Sequence, residues 1–182
     1  MNEALKSMLP EVAEIRDPKL AGLVLDTFAE ALRQGGWVPE DLKVIPFTLL
    51  IPDCPVNLLD HTLAVTRSAR NMAKVMREMY GSLCPIDEDL LLAGGLLHDV
   101  GKILEYWRKD GKIVKSANGK LLRHPFSGAG LATRMGLPDA VVHCIAVHAH
   151  EGDGGYRCVE AVLINHADFA NFEGLKSILG VK

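Results

Sequence analysis

The run "LLAGGLLHDVGKILEY", residues 91–106, limits the fold of this 182-residue chain more than any other stretch. A helix starting at Asp87 and continuing through "LLLAGGLLHDVG" has almost no polar face, and a helix that is apolar all round belongs in the middle of a protein. Gly94 and Gly95 each cost a helix about 1 kcal/mol relative to alanine, so a neighbouring helix is expected to approach closely there. The apolar pattern then stops on His98 and Asp99, followed at once by Gly-Lys. Burying that pair without compensating bonds is costly, so the rest of the chain has to deliver partners to it.

The flanking segments read as further helices. "PKLAGLVLDTFAEALRQ" is amphipathic and closes on Gly35-Gly36. "WVPEDLKVIPFTLLIPDCP", with four prolines, reads as an irregular crossing with at most one short helix, and no chemistry is expected of it. Asn57 is the expected N-cap of a long helix ending near Gly81, on which His61 shares an apolar stripe with Leu58, Val65, Ala69, Met72 and Met76. "YWRKDGKIVK" carries the turn dipeptide Asp110-Gly111 between strand-tolerant residues and predicts a small β-hairpin. "HPFSGAGLATRMG" predicts a helix with Pro125 in its first turn and Gly136 at its end. On the next, "PDAVVHCIAVHAH", the i, i+4, i+7 spacing puts Val141, Ile145 and His148 on one face and leaves His143 elsewhere. His150 lies past the apolar pattern and competes with His148. "CVEAVLINHADFANF" places Asp168 on a stripe with Ala161, Ile164, Asn165 and Phe172.

The expected architecture is therefore all-α: one bundle of about six or seven helices whose β structure is confined to the hairpin. Residues 57–172 form its core, and residues 1–56 an N-terminal helical extension of the same domain. Six groups fall at core-facing positions or helix ends: His61, His98, Asp99, His124, His148 and Asp168. All six are types that bind divalent cations through imidazole nitrogen or carboxylate oxygen, and a shared metal centre satisfies them together.

With that order of residues the chain resembles the HD-domain superfamily of metal-dependent phosphohydrolases. The matching segments are "LLDHTLAV" with His61, "LLHDVGK" with His98, Asp99 and Lys102, and "NHADFAN" with Asp168. The resemblance implies that His61, His98, Asp99 and Asp168 ligate one metal and that Asp99 bridges to a second. His124, in "RHPFSGAGLA", and His148, in "CIAVHAHE", are similar to the extra histidines of the two-metal subset. The cofactor implied is one or two divalent ions of iron, manganese, zinc, cobalt or nickel. The chain departs from the cyclic-dinucleotide branch, with Ala149 where that branch has an adjacent histidine and Arg157 after Tyr156.

The reaction implied is hydrolysis of a phosphomonoester or phosphodiester of a small nucleotide-like substrate by a metal-activated water, with Asp99 and Lys102 in catalytic roles. Two other readings stand beside it: a di-iron oxygenase built on the same ligand set, and RNA hydrolysis, since "LHDVGKILEY" and "GKLLRH" are also similar to the HD domain of bacterial 3′→5′ exoribonucleases. Charge separates them in part. The chain carries a net charge of −3, yet residues 102–123 hold seven bases against two acids, which suits an anionic substrate. That balance excludes an overall nucleic-acid coat. No run of about 18 apolar residues offers a membrane span, and the N-terminus lacks a signal-peptide core, so a cytoplasmic protein is expected. Cys54, Cys84, Cys144 and Cys158 are scattered and read as reduced packing residues. Trp37 and Trp107 read as packing residues, with Trp107 and Tyr106 able to line a pocket beside Lys102. Arg67 and Arg70 read as solvated surface, and His166 as a packing or supporting residue beside Asp168. Nothing in the pattern sets an oligomeric state.

Overall fold

The computed structural model describes residues 1–181. The helical elements are α1 (Asn2–Met8), α2 (Pro18–Gly35), α3 (Leu58–Tyr80), α4 (Glu88–Leu97), α5 (Lys102–Glu105), α6 (Ala117–Leu121), α7 (His124–Arg134), α8 (Asp139–Val147) and α9 (Val159–Ile178), with one hairpin, β1 (Tyr106–Lys109) and β2 (Lys112–Lys115). The protein is all-α with a small antiparallel hairpin, and α5 and α6 are single turns.

Local chemistry accounts for these boundaries. Asn57 caps α3 by accepting from the Asp60 N–H at 2.8 Å, and Asp87 caps α4 by accepting from Asp89 and Leu90. Gly36 ends α2 in the left-handed region, the C-terminal signal of such a helix. In the hairpin turn, Asp110 and Gly111 both have positive φ, as a two-residue type I′ connection requires, and Tyr106 pairs with Lys115.

Helix α4 is the centre of the bundle, and every residue from Leu91 to Val100 is buried. A methyl group on Gly94 would meet Cys144 of α8 and Ile164 of α9, each at 2.9 Å, and one on Gly95 would meet Thr66 of α3 at 3.1 Å. The two glycines therefore admit neighbours from both sides, as their cost in helix propensity implies. α4 is shorter than its apolar pattern. It stops at Leu97, and residues 98–101 tighten into turns whose N–H groups reach three residues back, Val100 to Leu97 and Lys102 to Asp99. The His98 ring takes the Gly95 carbonyl at 2.6 Å, which draws this end out of the regular helix.

One apolar cluster joins Leu5, Val24, Phe28 and Leu32 of the N-terminal helices to Leu92, Leu96 and Ile103. A second joins Val65 and Ala69 of α3, Leu91 of α4, Cys144 of α8 and Ile164 of α9. Trp37 is buried and donates its indole N–H to the Ile103 carbonyl at 3.0 Å, fastening the end of α2 to α5. Trp107, by contrast, is about half exposed, since the outer face of a two-stranded hairpin has nothing to pack against. Among the described residues the four cysteines are free, and no helix is long and apolar enough to cross a membrane.

Candidate metal centre

Four helices and the turn after α4 converge on Asp99. His61 comes from the second turn of α3, His98 and Asp99 from the end of α4, His124 from the first position of α7, His148 from the end of α8 and Asp168 from the middle of α9. All but Asp168 are buried residues. Asp99 Oδ2 lies 3.3 Å from His61 Nε2 and 3.4 Å from His98 Nε2. Asp99 Oδ1 lies 3.3 Å from His124 Nε2 and 3.5 Å from His148 Nε2. Asp168 Oδ1 stands 3.1 Å from His61 Nε2. The carboxylate thus faces two imidazoles with each oxygen, and all six residues singled out in the sequence meet at one place.

Three of the four imidazoles are held from behind, whereas His61 Nδ1 is buried without a hydrogen-bond partner among the described residues. His98 Nδ1 bonds the Gly95 carbonyl, and His148 Nδ1 bonds the Ile145 carbonyl at 2.8 Å. A carbonyl can only accept, so both rings carry their proton on Nδ1 and turn the Nε2 lone pair inward. His124 is gripped by a carboxylate instead: Glu105 Oε2 accepts from its backbone N–H at 2.7 Å and from Nδ1 at 2.9 Å. The Asn165 amide donates to the His148 carbonyl at 2.6 Å, and Arg157 donates to Val147 and Ala149 on either side of it, so the end of α8 is anchored on three consecutive carbonyls.

These inward-facing groups have no complete set of protein partners. Asp99 Oδ1 and His148 Nε2 are buried without a hydrogen bond, although they are only 3.5 Å apart. Orphaned polar atoms of that kind cost free energy unless something occupies the space between them. Two ligand atoms about 2.1 Å from one cation and roughly 90–110° apart stand about 3.0–3.4 Å from each other, and the separations of 3.1–3.5 Å fit that spacing. Two triads have ligand atoms that all lie within 4.8 Å of one another: His61, His98 and Asp99, and Asp99, His124 and His148. The donor set could hold a divalent metal in either.

Electrostatics agree with a carboxylate kept ionised in a dry place. Burial alone would raise the Asp99 pKa, but the Lys102 charge and the surrounding imidazoles reverse this and hold it well below its usual range. Burial likewise opposes charge on Lys102, and Asp99, with which it pairs at 2.5 Å, raises its pKa instead. Burial pushes His124 down to about 4 against the pull of Glu105. Burial opposes charge on Glu105 too, and its bonds from His124 and Lys115 bring it down to about 2.

Beside the centre lies a cavity of about 230 Å³. It is lined by Lys102, Lys115, Arg123 and His124, by the acids Glu105 and Asp168, and by Phe47, Leu49, Leu50, Tyr106, Phe169 and Phe172; the three cations Lys102, Lys115 and Arg123 pair with Asp99, Glu105 and Glu151 respectively. Trp107 does not line this cavity, whereas Tyr106 does, as expected. His150 sits at the rim, largely exposed and bonded to Asp153 at 2.9 Å, so it is His148 that faces Asp99. His143 turns away and accepts from the Cys158 N–H. His166 is exposed on the outside of α9, not packed beside Asp168, because it falls on the opposite face. Arg67 and Arg70 pair with Glu11 and with Glu14 and Glu88, tying α3 to the N-terminal segment and to α4.

The proline-rich crossing, expected to carry no chemistry, supplies a wall of the cavity. Leu58 N–H bonds the Ile45 carbonyl, and Phe47 N–H bonds that of Val56. The segment thereby folds back over the start of α3 and lays Phe47 on the His61 ring, with centroids 4.3 Å apart. Glu105 and Phe47 are the residues that sequence reasoning missed. The one available signal was the histidine-bearing helix start nineteen residues after Glu105, which is too distant to pair by periodicity.

Comparison with known proteins follows the same lines. The HD domain family model matches residues 58–169. The dihydroneopterin 2′,3′-cyclic phosphate phosphodiesterase of Methanocaldococcus jannaschii is 31% identical over 117 residues, 63% of this chain and 45% of that protein. Ribonuclease Y of Desulforudis audaxviator is 37% identical over 112 residues, 62% of this chain and 18% of that protein. Ribonuclease Y of Thermoanaerobacter pseudethanolicus is 29% identical over 165 residues, 88% of this chain and 28% of that protein. The chain thus spans less than half the length of these relatives. No solved structure matches. The family match covers the segment that delivers every residue of the centre, and the chain belongs to the HD-domain family.

Proposed function

We propose that the chain is a metal-dependent phosphodiesterase that hydrolyses a small, nucleotide-like phosphodiester. In this reading His61, His98, Asp99 and Asp168 hold one divalent cation, and Asp99, His124 and His148 hold a second. The observation that carries it is the Asp99 carboxylate, whose two oxygens each stand 3.3–3.5 Å from a different pair of imidazole nitrogens. When bound, the cations would activate water and offset charge on phosphoryl oxygens.

The chain's own residues supply the remainder. Asp99 spaces the two subsites. Lys102 brings an ammonium to the cavity lining beside Asp99, where it would meet a phosphoryl oxygen of the substrate. Lys115 and Arg123 add two more cations to the lining. Phe47, Phe169 and Phe172 offer rings to a flat heterocycle and keep that side of the cavity dry. Three cationic side chains on the cavity favour phosphate chemistry over oxygen activation. The M. jannaschii relative is named for a cyclic phosphodiester and the ribonucleases Y for RNA; a cavity of about 230 Å³ suits one nucleotide-sized group, either free or at an RNA end.

The test uses protein loaded separately with manganese, iron(II), cobalt, nickel or zinc and a panel of 2′,3′-cyclic, 3′,5′-cyclic and linear nucleotide phosphodiesters. Hydrolysis of at least one class is expected, with both turnover and bound metal lost in His98→Ala. Metal-loaded protein inert across the whole panel would overturn the proposal.

A further inference from the structure

His124 differs from the other imidazoles of the centre in what stands behind it. His98 and His148 lean on neutral backbone carbonyls. His124 leans on Glu105, a side chain only 3% exposed, which takes both its backbone N–H and its Nδ1 proton on a single oxygen. An ionised carboxylate behind a ligand imidazole fixes the ring and makes its outer nitrogen more basic.

Glu105 is itself held from several sides. Its second carboxylate oxygen pairs with Lys115 Nζ of β2 at 2.9 Å. Its backbone carbonyl accepts from Ser116 N–H at 2.7 Å. Gly119 of α6 passes so near that a methyl group there would lie 2.3 Å from that carbonyl and 2.7 Å from Cγ. The carboxylate is therefore fixed before any cation arrives, and the fixing parts are the hairpin and α6.

From this we infer that Glu105 is the positioning residue of the Asp99–His124–His148 subsite: its charge and its double bond to His124 give that subsite its affinity, while the His61–His98–Asp99–Asp168 subsite does not depend on it. The inference rests on the two-cation reading above. It also assigns a role to the hairpin, which clamps the group that aims a ligand in addition to lining the cavity.

The experiment is a cobalt(II) titration followed by visible absorption and elemental analysis, on wild type, Glu105→Gln and Lys115→Met. Glutamine retains the size and one accepting oxygen but loses the charge. Wild type is expected to take two ions per chain. Glu105→Gln should bind the first as wild type does and the second about 10–100-fold more weakly, the usual cost of losing such a partner. Lys115→Met removes the other charge that holds Glu105 and should weaken the second ion by less than Glu105→Gln does, leaving the first as in wild type. If wild type binds no cobalt, the metal reading itself fails. If wild type binds two and Glu105→Gln binds both equally well, or if Glu105→Gln weakens the first ion as much as the second, the role assigned to Glu105 is wrong.

Discussion

Replacing Gly101 by alanine probes how closely α7 rides on the turn between Asp99 and Lys102. The backbone at Gly101 has φ −65° and ψ −20°, a right-handed conformation open to any residue, so no conformational reason requires glycine. The obstacle is steric. A Cβ would lie 2.0 Å from the His124 carbonyl oxygen and 2.8 Å from the Gly128 nitrogen. Both are backbone atoms, so α7 must retreat by roughly 1 Å or more to restore van der Waals contact. Overpacking a core typically costs about 1–3 kcal/mol, and a clash with main chain belongs at the upper end. At about 2–4 °C per kcal/mol for a chain of this size, the melting temperature of metal-free protein should fall by roughly 6–12 °C. Circular dichroism melts measure this, with two comparisons. In Gly128→Ala the new methyl meets Ile145 Cγ2 at 3.0 Å and the Gly101 nitrogen at 3.2 Å, overlaps of a few tenths of an ångström rather than more than one, so its loss should be smaller. In Gly22→Ala, within α2, nothing lies within 4 Å, and the exchange should stabilise by about 0.5–1 kcal/mol. A Gly101→Ala protein melting within about 2 °C of wild type would refute the packing argument.

Three further outcomes follow from the same geometry. Lys102→Met should retain bound metal while kcat/KM on the best phosphodiester falls by about 100-fold, as when one charge-stabilising group is lost; steady-state kinetics with metal analysis check both halves. Trp37→Phe leaves the buried Ile103 carbonyl without its donor and should cost about 1–3 kcal/mol, read from urea unfolding. The Glu105 pKa lies at about 2 in the folded protein against an ordinary 4.5, so its contribution to stability is complete above about pH 4.5 and disappears as pH falls toward 2. Glu105→Gln should flatten that part of the stability-versus-pH curve, and an unchanged acid limb would count against the bonds to His124 and Lys115.

Much of the centre was legible because periodicity reports which face of a helix looks inward. His61 on its stripe, His148 seven residues after Val141 and Asp168 four after Ile164 all follow from a repeat of 3.6 residues, and the glycines at 94 and 95 announced close neighbours. The resemblance to the HD family joined these faces into one site. Periodicity is blind to what lies across the fold. Phe47 sits in a segment with no repeat, and it reaches His61 only because Ile45 and Val56 bond the crossing back onto α3. Glu105 looks like a surface acid one turn after a lysine, until α6 and β2 close over it. His166 and Trp107 show the reverse error, since composition makes them look buried and only the placement of their elements leaves them outside.

The carbonyls of Gly95 and Ile145 have a consequence for how such a centre can change over generations. Main-chain atoms set the tautomers of His98 and His148, and every amino acid supplies the same carbonyl. Substitution at those two positions cannot retune the rings without bending α4 or α8. Selection acting on metal preference is therefore channelled through side chains that stand behind a ligand, and Glu105 is the one that does so for His124. Homologues adapted to different metals would be expected to differ at that position before they differ in the ligands themselves.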